Sequence, residues 1–177
     1  MTAASTSRNA SRWPRNGSTP EPAAAAAHGA LAARAPVFIV HSLAQAVAAA
    51  RAAGEAGLSI VLVSAADAGI YAGPGWFRAL VEATRTAVPE ARFEARLDCG
   101  DDAGAALGAI RSGIESIVFT GRADVAARLA AIAEQQGGRL LTERPAPALD
   151  LEAEFFADPA RLRHRCAEIL ASFAGFC

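Results

Sequence analysis

The sequence contains no lysine; all 17 of its basic residues are arginine. That excludes a Schiff-base lysine and a P-loop lysine. Any anion must then be held by arginine, by backbone N–H groups or by helix N-termini. Cysteine is scarce too: Cys99, Cys166 and Cys177 are odd in number and lack C-x-x-C spacing. They fit neither a disulfide framework nor a zinc site, and a reducing compartment is expected. No apolar run approaches the roughly 18–20 residues that cross a bilayer. The Ala-rich stretch 23–33, interrupted by His28 and Gly29, is too weakly hydrophobic for a signal sequence. A cytoplasmic protein without a membrane partner is the expectation. Gly73-Pro74-Gly75 carries Arg78 where a dinucleotide fingerprint needs its third glycine. No complete catalytic or cofactor motif is present, so neither a cofactor nor a metal is anticipated.

Charge divides the chain. Residues 1–35 hold four Arg against one Glu, a net of +3, and the remainder holds 13 Arg against 17 acidic residues, a net of −4. The first segment is Ser- and Arg-rich, then Ala-rich. It lacks the large apolar side chains that offset ordering entropy, and is read as a disordered tail. The mildly acidic remainder lacks a nucleic-acid footprint. Residues 36–177 are read as one domain.

From Pro36 onward the pattern alternates strand and helix. Val37–Val40 is β-prone, and Ser42 with Gln45 forms a capping box for a helix ended by Gly54 and Gly57. Ser59–Val63 is a second strand. A long connection, Ala65–Gly75, leads to a helix over Trp76–Val88. Arg92–Leu97 places Phe93, Ala95 and Leu97 on one side and Glu94, Arg96 and Asp98 on the other, so one of its faces is charged. Asp101 and Asp102 start the next helix. Ser116–Phe119 and Arg139–Leu141 complete five strands. Pro145 and Pro147 break the chain, an acidic linker follows, and Asp158 and Pro159 open a C-terminal helix. Such alternation predicts an α/β fold with a mainly parallel sheet. Two arrangements fit: a three-layer, flavodoxin-like or Rossmann-like sandwich of five strands, or a (βα) half-barrel that pairs as a homodimer.

Each strand ends in polar residues, and in both arrangements those ends share the ligand-binding rim. Asp98 could act there as a general base and His41 as an acid–base group. These are the candidate catalytic residues. Ser42, Ser64, Thr120, Gly121 and Arg122 are candidate ligand contacts; backbone N–H groups at Thr120-Gly121 could cradle an anion, assisted by Arg122. Cys99 lies beside a helix N-terminus but among three carboxylates, which disfavours a thiolate. Tyr71 and Trp76 lie on or beside the long connection, where a lid would be, the alternative being that Trp76 and Phe77 anchor the following helix in the core.

Asp98 at the end of strand three and Thr120 at the end of strand four resemble a response-regulator receiver domain. In that family the corresponding Asp is phosphorylated and the hydroxyl follows the switch. Receivers also carry an acidic pair after strand one and a Lys after strand five, whereas this chain has His41-Ser42 and Glu143. The resemblance implies a degenerate receiver-like module; the open face of strand three, or the final Phe-bearing helix, offers a non-catalytic interaction module that docks a partner or a second copy. The residues themselves point first to a small polar or phosphorylated metabolite bound at the rim, with lysine-independent lyase or isomerase chemistry.

Overall fold

The computed structural model describes residues 35–174. The expected tail, apart from Ala35, and Cys177 lie outside the described residues.

The elements follow from local signals. Strand β1 is Val37–Val40 and helix α1 is Leu43–Ala56. Ser42 caps α1 by accepting from the Gln45 amide, and Gly57 ends it in the left-handed region at φ 67°. Strand β2, Ser59–Ser64, is followed by a one-turn helix α2, Ala68–Tyr71, and by α3, Gly73–Ala87. The anticipated loop is therefore shorter than Ala65–Gly75, because Pro74 sits in the first turn of α3, where its missing N–H costs nothing. Strand β3 is Arg92–Asp98, α4 is Ala103–Arg111, β4 is Ser116–Val118, and α5 is Ala123–Gln135. Strands β5, Arg139–Leu141, and β6, Leu149–Asp150, precede a 3₁₀ turn at Glu152–Glu154 and α6, Pro159–Ala174.

The protein is α/β with a wholly parallel sheet, as its pattern implied, but the sheet has six strands rather than five. The extra strand is β6, which pairs with Phe38 and Ile39 of β1. The strand order is β5-β4-β3-β2-β1-β6. From β1 to β5 it is sequential. Flavodoxin-like sheets and receivers run 2-1-3-4-5, so the order seen is that of the half-barrel arrangement and departs from the receiver resemblance. Right-handed crossovers in a constant direction place successive helices on the same side of the sheet.

The register agrees. Phe38 lies opposite Leu62 and Leu149, Leu62 opposite Ala95, and Ile117 opposite both Leu97 and Leu140. All belong to or pack against one core cluster that includes Ala46, Ala49 and Ala53 of α1 and Leu162, Cys166 and Leu170 of α6. The alanines let α6 lie close on α1, and burying each large side chain contributes roughly 1.5–3 kcal/mol.

The opposite face carries Val61, Val63, Glu94, Arg96, Asp98 and Val118. The charged side of β3 is thus the side away from the helix-packed core. There Glu94 pairs with Arg96 at 2.6 Å and with Arg139. Burial would raise the Glu94 pKa, but hydrogen bonds from Arg96 and Arg139 outweigh it and hold the carboxyl below its ordinary value. Residues 142–148 run from one sheet edge to the other. Six flat strands would put those edges about 24 Å apart, close to the roughly 25 Å that seven extended residues can span. The crossing brings Arg144 onto Asp98 of β3.

Candidate functional site

The strand C-termini carry two linked groups of polar side chains. The first is centred on Asp98, which is 2% exposed. Its Oδ1 accepts from the amides of Asp67 (3.0 Å) and Gly100 (2.9 Å), and Arg144 donates through Nε to Oδ2 (2.7 Å) and through a terminal nitrogen to Oδ1 (3.1 Å). Arg144 also donates to Asp67 Oδ1 at 2.6 Å. Bonding to Asp98, with the charges of Asp98 and Asp67, raises the Arg144 pKa above its ordinary value. Asp67 adopts φ 61°, the left-handed region that Asp tolerates better than most residues. This turn aims both its amide and its carboxylate at the network. Ser64 joins from below, accepting from the Asp98 amide at 2.9 Å while donating to Ala65 O.

The second group surrounds His41, whose Nε2 lies 2.8 Å from Asp150 Oδ1. Asp150 Oδ1 also accepts from the Glu152 amide at 3.0 Å. The pair is set by two links between β1 and the chain after β5. Strand β6 pairs with β1, and Gln45, fully buried, accepts from the His41 amide at 2.7 Å and donates to Leu151 O at 2.7 Å. Above it opens a cleft of about 520 Å³ lined by His41, Ala65, Tyr71, Ala72, Trp76, Glu152 and Phe155. Burial, then the charges of Asp67, Asp98 and Glu152, raise the Tyr71 pKa, so the Tyr71 hydroxyl feels both groups.

The residues expected at the site divide as follows. His41 lines the cleft, and Ser64 and Asp98 form the network behind it. Ser42 is occupied as the α1 cap, its Oγ accepting from Gln45 at 3.4 Å. Thr120 is knit to the turn after β3 by its amide, which donates to Gly100 O at 2.7 Å. Gly121 lies so close to the Phe119 ring that a Cβ would collide with it. The Arg122 side chain is 81% exposed and folds back in a bidentate pair with Asp124 at 3.0 and 2.9 Å. Neither Thr120, Gly121 nor Arg122 lines the His41 cleft. Asp102 is the cap of α4, accepting from Ala105 at 2.8 Å. Cys99 is fully buried, and burial with the nearby Asp98 and Asp102 pushes its thiol up to about 12. Among the described residues, no three His, Cys, Asp or Glu side chains converge to hold a metal ion. No helix of the described residues is long and apolar enough to cross a membrane.

Sequence reasoning missed Arg144, Asp67, Asp150, Glu152 and Phe155. Only Arg144 carried a signal, as a cation beside a strand end and before a proline.

No family model matches the chain, and no curated protein does. One solved structure with the same kind of fold is a Coccidioides immitis protein provisionally assigned as a fructose-1,6-biphosphate aldolase, at a TM-score of 0.52 and 18% identity. The match covers 66% of this chain and 42% of that one, and the likeness is one of fold alone.

Proposed function

We propose that this chain binds a small polar metabolite in the His41 cleft, and that its chemistry there is lysine-independent proton transfer of the lyase or isomerase kind. The observation that carries this reading is the cleft itself. It sits at the strand C-termini, where α/β folds take ligands, and its wall holds a histidine fixed by a carboxylate. In the tautomer that donates Nε2–H to Asp150, Nδ1 is the acceptor, and no described residue bonds it. His41 is then the proton carrier. Asp98, whose oxygens already accept four hydrogen bonds, positions Arg144 and the Asp67 turn. The aldolase assignment of the structural neighbour agrees with a lyase. The absence of lysine rules out a Schiff-base route.

The test is a thermal-shift panel on the full chain with neutral polyols, amines and sugar phosphates. A ligand at 100 times its dissociation constant adds about 2.7 kcal/mol of stability. A shift that disappears in His41→Gln supports the reading. A well-folded protein that responds to nothing, or a shift that survives in His41→Gln, refutes it.

A non-catalytic interaction module is the second reading. Leu43, Ile70, Phe155 and Phe156 are exposed, all near the same rim, and exposed apolar side chains gathered in one region suit a docking surface. Self-association lost in Phe156→Ser, without a small-molecule response, favours that reading.

A further inference from the structure

We infer that the ligand of this cleft is a cation: an ammonium or quaternary ammonium group seated among Tyr71, Trp76 and Phe155, with Glu152 as its counter-charge. This rests on the proposed metabolite site and narrows its ligand class.

Three aromatic side chains from three different elements line one cleft. Tyr71 ends α2, Trp76 lies in the first turn of α3, and Phe155 follows the 3₁₀ turn. None is consumed by the core: they are 68%, 36% and 48% exposed, whereas Phe77, next to Trp76, is buried. Aromatic faces are electron-rich, and several around one cavity attract a positive charge.

The local charge points the same way. Asp67 and Asp98 share the one guanidinium of Arg144, and Asp150 is held by His41, which leaves Glu152 as the carboxylate that lines the cleft. Arg122, on the same rim, is spent on Asp124. Burial first, and then the charges of Asp67, Asp98 and Glu152, keep the Tyr71 hydroxyl protonated. An anion entering the cleft meets Glu152, with no arginine or lysine in the lining. A cation meets Glu152 and three aromatic side chains.

The test is isothermal titration calorimetry on the full chain. The probes are choline, its uncharged carbon isostere, glycerol and inorganic phosphate. Choline is expected to bind, with the isostere weaker by at least about fivefold and phosphate silent. Trp76→Leu and Glu152→Gln should each weaken choline by roughly five- to thirty-fold. Both side chains are outside the core, so unchanged melting temperatures will exclude misfolding as the cause. Equal binding of choline and its isostere, unaltered affinity in both variants, or phosphate competing with choline overturns the inference. His41-dependent binding of glycerol without binding of choline overturns the cation assignment and leaves the metabolite site standing. No binding by any of the four, together with no response in the thermal-shift panel, overturns both.

Discussion

Replacing Arg144 with methionine removes the cation from the most densely bonded carboxylate on the rim while keeping most of the aliphatic stem. Asp98 is 2% exposed, and two of its four hydrogen bonds come from Arg144. Breaking a fully buried ion pair costs about 3–5 kcal/mol, and a charged hydrogen bond contributes about 1.5–3 kcal/mol. The Arg144 side chain is itself 45% exposed, and the Gly100 and Asp67 amides still hold Asp98 after the change. The lower part of the range applies, and the expected loss is about 2–3 kcal/mol. For a domain of this size that lowers the melting temperature by about 5–10 °C. Asp98→Asn should cost at least as much, because the charge is lost and, with its oxygen kept toward the Asp67 and Gly100 amides, its NH₂ faces the Arg144 Nε–H, donor against donor. The double variant should fall short of additivity by about 1–2 kcal/mol. Urea denaturation of the four proteins measures all three values. A loss below about 0.5 kcal/mol for Arg144→Met, or strict additivity, would refute the reasoning.

Three further outcomes follow from the same rim and the face below it. Gly100→Ala should destabilise more than Gly113→Ala: both have positive φ, 55° and 77°, worth about 1–2 kcal/mol each, but only at Gly100 would the new Cβ strike Asp67. Equal losses in denaturant titrations would contradict that. The lowered Glu94 pKa makes its contribution to stability complete above the ordinary value of 4.5 and lost as pH falls from there through the folded value; Glu94→Gln should flatten the acid limb of a stability–pH curve, and an unchanged limb counts against the network. Cys99 and Cys166, both buried and pushed up to about 12, should resist a thiol reagent at pH 8 in native Cys177→Ser protein and react once it is unfolded. Fast native labelling would exclude their burial.

The parts legible in the sequence are those set by local periodicity. The alternation along β3 identified its charged face before any fold was known, and Ser42, Gly57, Asp102 and Asp158 marked helix ends that the structure retains. Strand β6 was illegible because it is two residues long and exists only through pairing with β1. The site was legible as a rim and not as a set of partners. His41 and Asp150 are 109 residues apart and Asp98 and Arg144 are 46 apart, so nothing local marks either pair. Trp76 and Phe77 looked alike as core anchors; only packing separates the buried ring from the one facing the cleft.

The cleft around His41 at the strand C-termini is the proposed functional site. Amide chemical-shift mapping of the full chain, titrated with the strongest ligand from the thermal-shift panel, tests it most directly. The largest shifts are expected to fall on Ala65, Tyr71, Ala72, Trp76 and Phe155 and to vanish in His41→Gln. Shifts centred instead on the groove at the opposite end of the strands, around Arg78, Phe93 and Gly138, would contradict it.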